Sequence, residues 1–204
     1  MLRIGVTGSI GSGKSYICDI FEKRGVPVFY SDQETKMLYH DTDVRRLITS
    51  RFGDAVYLGD GTLDRRLLGS MIFGDAGNMK FIEDTLYPAL FRRFEAWCRG
   101  HDAPFVLFES AILFEKGLAS RFDAVLLISA PEDVRIRRVM TRDKCTEAEV
   151  RERMRLQWSD ERKLPLADHV IIHDGNDNVD EEVDDFIRLM EKRQTHRKPF
   201  PSKE

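Results

Sequence analysis

Near its start the chain reads Gly8-Ser9-Ile10-Gly11-Ser12-Gly13-Lys14-Ser15, which fits the phosphate-binding loop pattern G-x-x-x-x-G-K-S/T in full. Glycines allow the backbone to wrap closely around phosphate oxygens and to point its N–H groups at them. Lys14 supplies a positive charge for the β and γ phosphates, and Ser15 supplies a hydroxyl for Mg²⁺. The stretch predicts a site for ATP and Mg²⁺, in which the nucleotide contacts are Gly8, Gly11, Ser12, Gly13, Lys14, Ser15 and Tyr16.

The segments around this loop predict where it lies in the fold. Residues 2–6 are mostly apolar and partly β-branched, as in a buried strand, and residues 14–24 form a helical run that Gly25 ends. Further strands are predicted at residues 26–30, Phe105–Glu109, Ala124–Ser129 and residues 169–173. Strands that alternate with helices favour a parallel sheet covered on both faces. The predicted fold is therefore a three-layer α/β P-loop NTPase fold with a five-stranded parallel sheet.

The region from about residue 35 to residue 100 lacks a clear strand pattern and predicts a helical, acceptor-binding insertion. Helices are expected to start at the capping box Ser31-Asp32-Gln33-Glu34, at Asp64 and at Asn78, with a break near Pro88. Another capping box begins at Thr146, in a lid region predicted over about residues 135–160. We expect one domain over residues 1–193 and a disordered tail over residues 194–204.

Composition narrows the classes of protein to consider. A length of 204 residues, with 42% hydrophobic and 33% charged, suits one packed domain with a modest insertion. A net charge of −3 gives no sign of a nucleic-acid binder, and the three cysteines have no metal or disulfide spacing. With no secretory signal and no apolar run of about 20 residues, we expect a cytoplasmic protein without membrane contact or obligate protein partner.

Two carboxylates follow strands at the edge of the sheet where ligands bind in such folds. Asp32 comes just after the strand predicted at residues 26–30, and Glu109 ends the strand Phe105–Glu109. Asp32 can accept the proton of an attacking hydroxyl or hold magnesium waters, and it can also cap a helix. Glu109 can hold the magnesium shell. Glu115, in the loop that follows, is an acceptor contact or a solvated surface acid.

Arginines late in the chain suit phosphoryl transfer. Arg135, Arg138 and Arg142 fall on one face of a predicted helix. Transfer spreads negative charge over the phosphate oxygens, which arginines stabilise well. A solvated helix face is the alternative. Because a phosphate loop precedes them, we predict that Arg138 and Arg142 are catalytic and that Arg142 also contacts the nucleotide.

Several segments, in order along the chain, resemble the dephospho-coenzyme A kinase family. Residues 6–15 look like its opening TGGIGSGKS, residues 25–32 like its segment G-x-x-V-I-D-A-D, and residues 60–68 like its stretch D-G-x-L-D-R-x-x-L. Residues 113–115 match the end of its P-L-L-F-E motif, and residues 138–143 resemble its lid arginines. The resemblance covers about residues 2–190. Tyr30 stands where the family has the first aspartate of D-A-D, and Tyr87 where it has the histidine of His-Pro.

This resemblance implies transfer of a phosphoryl group from ATP to the ribose 3′-hydroxyl of dephospho-CoA, the last step of coenzyme A biosynthesis. Lys14 would neutralise phosphate charge, and Asp32 would orient or deprotonate the hydroxyl. The acceptor contacts would be Asp32, Arg65, Tyr87 and Glu115, and the Mg²⁺ ligands would be Ser15, Asp32 and Glu109. The expected small-molecule partners are ATP and dephospho-CoA.

Two other functions are compatible with the loop by itself. One is another small P-loop kinase, acting on a nucleoside, a nucleoside monophosphate or a sugar. The other is a nucleotide-dependent switch protein, against which the sequence has no Asn-Lys-x-Asp signature for guanine. These kinases differ in the acceptor that they bind, and therefore in the acceptor region, which is residues 32–115 here.

Overall fold

A five-stranded sheet forms the centre of the computed structural model, which describes residues 1–175 and 178–196. The strands are β1 (Leu2–Thr7), β2 (Val28–Tyr30), β3 (Phe105–Glu109), β4 (Ala124–Ser129) and β5 (His169–Ile172). They lie in the order β2-β3-β1-β4-β5, and β1 runs parallel to both of its neighbours. This is the predicted three-layer α/β P-loop fold with a five-stranded parallel sheet, which is thereby confirmed.

The central position of β1 decides where the phosphate loop lies. The register pairs Val6 with Glu109 on β3 and Thr7 with Leu127 on β4. Every residue of β3 and β4 is buried, as expected of strands covered on both faces. Since parallel strands end at the same edge, the loop after β1 lies between the carboxyl ends of β3 and β4.

An α-helix follows each of β1, β2, β4 and β5, whereas a short 3₁₀ helix at Ala119–Arg121 connects β3 to β4. The α-helices are α1 (Lys14–Lys23), α2 (Ser31–Leu38), α3 (Thr42–Phe52), α4 (Arg65–Ile72), α5 (Ala76–Cys98), α6 (Glu132–Asp143), α7 (Glu147–Met154), α8 (Asp160–Lys163) and α9 (Val179–Thr195). No helix among the described residues is long and apolar enough to cross a membrane.

Two helix ends in the sheet-containing part agree with the sequence signals. Gly25 adopts φ +82° and its N–H donates to the Glu22 carbonyl, which ends α1. Thr146 caps α7 through a complete capping box, in which its own N–H donates to Glu149 Oε2 at 2.8 Å. Both helix ends could be predicted because the hydrogen bonds that form them join residues close together in the sequence.

The chain divides into two compact units. The first contains Met1–Phe29 and the described residues from Asp102 onward, and therefore most of the sheet. The second is Tyr30–His101 and contains α2 to α5, with one antiparallel bridge between Tyr57 and Leu63. The helical insertion predicted at about residues 35–100 falls inside the second unit.

In the second unit, aspartates cap three helices. Asp41 caps α3 and Asp64 caps α4, the latter as predicted. The cap predicted at Asn78 is wrong, because Asp75 accepts the Asn78 N–H at 2.8 Å and α5 begins at Ala76. Asp is as good a cap as Asn, and here it comes first.

The break predicted near Pro88 is also wrong, since α5 continues from Ala76 to Cys98 with Pro88 inside it. Proline removes one backbone hydrogen bond and strains the preceding turn. Leu86, Ala89 and Leu90 are buried around that point. Burial of the apolar face on both sides of Pro88 stabilises one continuous helix.

A helix starts at Ser31, as predicted, but the capping box at residues 31–34 does not form. Tyr30 is the N-cap of α2 without a side-chain hydrogen bond, and Ser31 is already the first helical residue and is buried. The Glu34 carboxylate instead forms an ion pair with Arg93 on α5. A tertiary partner has therefore replaced the local one.

The end of the chain differs slightly from the expected boundary. Helix α9 continues to Thr195, so two residues of the predicted tail over residues 194–204 are helical. Residues 197–204 of that tail lie outside the described residues.

Candidate active site

The phosphate loop joins β1 to α1 and takes its shape from two glycines in the left-handed region. Gly11 has φ +80° and Gly13 has φ +92°. A Cβ on Gly11 would lie 2.5 Å from the carbonyl oxygen of Arg135, and a Cβ on Gly13 would lie 2.4 Å from His173 Cδ2. Both the backbone conformation and the space therefore require glycine at these positions, as the loop pattern predicts.

Helix α1 begins directly at the end of the loop. Gly13 is its N-cap, and no side chain accepts the first N–H groups of the helix. Such N–H groups, together with the helix dipole, attract an anion. The first turn contains no acidic residue that would oppose one.

Lys14 and Glu109 form an ion pair beside the loop. Glu109 reaches Lys14 because β3 pairs with β1 in a register that sets Glu109 opposite Val6. The Lys14 side chain is 13% exposed and the Glu109 side chain 7%. Both charges are partly desolvated and need an oppositely charged partner. Lys14 can therefore exchange Glu109 for a phosphate, and Glu109 can exchange Lys14 for a metal cation.

A pocket of about 350 Å³ opens over the loop. Its lining brings together nine of the predicted site residues: Gly8, Gly11, Ser12, Gly13, Lys14, Ser15, Tyr16, Arg138 and Arg142. Ser9, Ile10, Ala111, Val139 and Gln157 complete the lining. The loop and the arginine helix α6 therefore face one cavity.

The predicted arginines have different environments. Arg138 donates from Nη1 to the His173 carbonyl at 3.0 Å and to the Ser12 carbonyl at 3.4 Å, so it holds the loop against the end of β5. Arg142 is mostly exposed and pairs with Asp143, which raises the pKa of Arg142. Arg135 is 5% exposed and donates to the Ala130 carbonyl at 3.0 Å.

An aromatic surface lies at the mouth of the pocket. The Tyr16 ring stacks on the His173 ring with centroids 5.3 Å apart and planes inclined by 12°. Tyr16 is 52% exposed, so its ring remains accessible from solvent.

Glu115 belongs to a buried network. Its Oε1 lies 2.9 Å from Lys163 Nζ and also accepts the Trp158 N–H at 2.9 Å. Lys163 is fully buried and donates to the Ala111 carbonyl at 3.3 Å. The Glu115 Oε2 atom is buried without a hydrogen-bond partner.

Three predicted acceptor residues lie in the second unit. Asp32 is exposed in the first turn of α2, and Arg65 is exposed at the start of α4. Tyr87 is half-buried on α5. Burial, together with the negative charges of Glu83 and Asp32, raises the pKa of Tyr87 to about 12. The Tyr87 phenol therefore stays protonated at neutral pH, in the electrostatic field of Asp32.

The metal expectation rests on Ser15, Asp32 and Glu109. Ser15 is exposed in the first turn of α1, next to Lys14. In the described part of the chain, no group of three or more His, Cys, Asp or Glu side chains could hold a metal by itself. Hydroxyl and carboxylate oxygens nevertheless suit Mg²⁺, which binds through few protein groups and completes its shell with water and substrate phosphates.

Two residues that hold the loop carried no sequence signal strong enough to assign them to the site. Gln157 Oε1 accepts the Ile10 N–H at 2.8 Å, and Asp160 Oδ1 accepts from Ser9 Oγ at 2.5 Å. They lie more than a hundred residues from the loop along the chain, and only the packed structure brings them to it.

The family model and the curated relatives that match this chain carry the same description. The family model described as dephospho-CoA kinase matches residues 2–179. A dephospho-CoA kinase of Salinibacter ruber is 39% identical over 182 residues, covering 87% of this chain and 92% of the relative. A dephospho-CoA kinase of Bacteroides fragilis is 32% identical, covering 93% of both chains.

A solved structure is also similar. The crystal structure of TT1252 from Thermus thermophilus superposes with a TM-score of 0.80 at 33% identity. The similarity covers 93% of this chain and 97% of that protein. The likeness therefore extends over both compact units of the chain.

Proposed function

The chain belongs to the dephospho-CoA kinase family, and from that premise we propose that it phosphorylates dephospho-CoA at the expense of ATP. The oxygen of the ribose 3′-hydroxyl attacks the γ-phosphorus, the bond from that phosphorus to the β–γ bridging oxygen breaks, and the hydroxyl proton passes to a base. The products are CoA and ADP. The observation that carries the proposal is the pocket in which the glycine loop, Lys14 and two arginines meet.

The ATP end of the reaction is assigned to the loop pocket. Backbone N–H groups of the loop and of the α1 N-terminus hold the phosphates, and Lys14 neutralises the β and γ phosphates. The stacked rings of Tyr16 and His173 offer a flat surface for the base, because an aromatic face binds another ring well.

Mg²⁺ is assigned to Ser15, Glu109 and Asp32, whose hydroxyl and carboxylate oxygens would hold the ion directly or through water. Bound there, the ion would neutralise charge that develops on the phosphates. The Glu109 carboxylate already holds one cation, the ammonium of Lys14, which supports its suitability for another.

Arg138 and Arg142 have different proposed roles at the transferring phosphate. Arg138 is fixed by backbone carbonyls at the loop and at the end of β5, so it stabilises phosphate charge from a set position. Arg142 is exposed and held by Asp143, and it closes over the transferring group by leaving that partner. The region of about residues 135–160 would act as the lid.

The acceptor end is assigned to Asp32, Arg65, Tyr87 and Glu115. Asp32 accepts the hydroxyl proton or orients the hydroxyl. Tyr87 is a hydrogen-bond donor at neutral pH, and a pKa raised to about 12 keeps its phenol protonated in mildly alkaline solution as well. Arg65 would bind an acceptor phosphate from its exposed position at the start of α4.

Since the three cysteines are free thiols, we place the reaction in the reducing cytoplasm.

A coupled assay of ADP release with ATP and Mg²⁺ tests the proposal. Dephospho-CoA is compared with AMP, CMP, adenosine and a reaction without acceptor, and mass spectrometry locates the new phosphate. We expect turnover with dephospho-CoA and the phosphate on its ribose 3′-oxygen. A Lys14→Ala variant serves as the matched control for contaminating kinases. Turnover with another acceptor would overturn the substrate, and ADP release without acceptor would favour a switch protein.

A further inference from the structure

The first half of the phosphate loop is held by residues far away in the sequence. The Ile10 N–H donates to Gln157 Oε1 at 2.8 Å, and the Ser9 hydroxyl donates to Asp160 Oδ1 at 2.5 Å. Within the loop itself, the Ser12 N–H donates to the Ser9 carbonyl at 3.0 Å. Each N–H group that receives a phosphate oxygen is one that cannot fix the shape of the loop, so contacts from outside the loop contribute to that shape.

Asp160 makes the stronger of the two outside contacts. Its other oxygen, Oδ2, accepts from the hydroxyl of Ser129 at the end of β4. Asp160 is 6% exposed, Ser9 is 4% exposed and Ser129 is 9% exposed. The carboxylate is therefore removed from water and satisfied by two neutral hydroxyls. Hydrogen bonds to a charged acceptor are stronger than neutral ones, and their loss leaves a costly buried charge.

The element that carries Asp160 is itself fixed at its other end. Asp160 begins the short helix α8, and Lys163 ends it. Lys163 is fully buried, pairs with Glu115 at 2.9 Å and donates to the Ala111 carbonyl. The anchor of Ser9 is thus attached to the segment after β3 through Lys163, so its position does not depend on the Ser129 bond alone.

We propose that Asp160 is a positioning residue for ATP. Its carboxylate holds Ser9, and through Ser9 it holds the loop in the conformation that receives the phosphates before ATP arrives. Such preorganisation increases affinity because the loop need not be ordered on binding. Asp160 touches no substrate in this proposal, which rests on the proposed function only in taking ATP as the ligand of the loop.

Because Asp160 is charged, the direction in which its substitution changes the Kd for ATP distinguishes positioning from simple charge repulsion. A carboxylate near the loop repels phosphates, so Asp160→Asn would tighten ATP binding if charge were all that mattered. If positioning dominates, the same substitution weakens ATP binding, because the strong bond to Ser9 is replaced by a neutral one. The two explanations therefore predict opposite changes in the Kd for ATP.

The experiment measures the Kd of ATP by calorimetry and steady-state kinetics with dephospho-CoA for four proteins. These are the unmodified chain, Asp160→Asn, Ser9→Ala and Ser129→Ala. For the first two variants we expect Kd and KM for ATP to rise about 10-fold, the size of one charge-assisted hydrogen bond, with kcat and the KM for dephospho-CoA within about 2-fold. Ser129→Ala breaks the bond on the other oxygen, and it should lower the thermal midpoint without changing the Kd.

Combining Asp160→Asn with Ser9→Ala should weaken ATP binding no further than either change by itself, since both break the same bond. An unchanged or lower Kd in Asp160→Asn would overturn the proposal, as would an equal loss in Ser129→Ala. If Asp160→Asn does not fold, Ser9→Ala decides, since it removes the bond and leaves the carboxylate. Failure of the unmodified chain to bind ATP would instead overturn the proposed function.

Discussion

The ammonium of Lys14 and the carboxylate of Glu109 form an ion pair between the start of α1 and the end of β3. The pair exists because β1 and β3 are neighbours in the sheet, in a register that aligns their carboxyl ends. ATP therefore meets a lysine that already has a partner. Binding of ATP with Mg²⁺ would exchange that one pair for two, lysine with phosphate and carboxylate with metal.

Glu109→Gln tests this exchange, because it keeps the shape of the side chain and removes its charge. We expect half-maximal activity to require about 10-fold more free Mg²⁺, as a carboxylate is the better magnesium ligand. The measurement is initial rate against free Mg²⁺ at fixed ATP. In EDTA, ATP should bind at least as tightly as before, since Lys14 has lost its competitor. An unchanged magnesium curve would remove Glu109 from the metal site.

Asp32→Asn should abolish most turnover and leave the fold intact. Asp32 is exposed in the first turn of α2, so the substitution removes no buried contact. If Asp32 takes or orients the hydroxyl proton, kcat should fall about 100-fold or more, within the range of general-base catalysis. Lys14→Ala is the comparison that loses phosphate binding instead. Full activity in a folded Asp32→Asn protein would exclude Asp32 from the mechanism.

Gly11→Ala should damage both stability and ATP binding, whereas Gly25→Ala should cost only backbone strain. The two glycines have nearly the same φ, +80° and +82°. A Cβ on Gly11 would lie 2.5 Å from a backbone oxygen, and a Cβ on Gly25 would meet nothing within 4 Å. Urea unfolding should show a loss of about 1–2 kcal/mol for Gly25→Ala and a larger one for Gly11→Ala. Equal losses with normal ATP affinity in both would contradict the steric argument.

Lys163→Met should destabilise the chain by about 3–5 kcal/mol, because it leaves the Glu115 carboxylate buried without its cation. Glu115→Gln leaves the buried Lys163 ammonium unpaired and should also lower the free energy of unfolding. The double variant should recover most of either loss, as measured by urea unfolding. If Glu115 also contacts the acceptor, the KM for dephospho-CoA rises in Glu115→Gln and stays raised in the double variant. A KM that remains normal in both would remove Glu115 from the acceptor site.

His169 should make the chain less stable in mild acid. Burial lowers the pKa of His169 below its ordinary value of 6.5. As the pH falls below 6.5, the unfolded chain takes up a proton there before the folded chain does, so the free energy of unfolding decreases until the folded pKa is passed. Denaturation at pH 7.5 and pH 5.5 should show a smaller decrease in His169→Phe than in the unmodified chain. His40→Gln, at an exposed histidine, is the control and should leave the decrease unchanged.

Much of the core fold could be predicted from the sequence. The phosphate loop, the strands Phe105–Glu109 and Ala124–Ser129, and the capping box at Thr146 are all present where the residues indicated. Each depends on a local property: glycine freedom, a short apolar run, or a side chain that bonds a neighbouring N–H. Local predictions failed for the cap at Asn78 and the break at Pro88, where a nearer cap and a buried helix face prevailed. At residues 31–34 the predicted helix start is correct, but Glu34 pairs with Arg93 and the side-chain box does not form.

The sequence by itself indicated the kind of ligand, because G-x-x-x-x-G-K-S/T between a strand and a helix is the pattern of a phosphate-binding loop. Glu109 and Arg138 were also predicted for the site, but only the tertiary structure decided which atoms they contact and which further groups complete the site. It brought Glu109 to Lys14, Arg138 to the Ser12 carbonyl and Asp160 to Ser9. The physical reason is that strand order and helix packing set those distances. A short sequence pattern records a residue's neighbours along the chain, whereas hydrogen bonds and ion pairs depend on its neighbours in space.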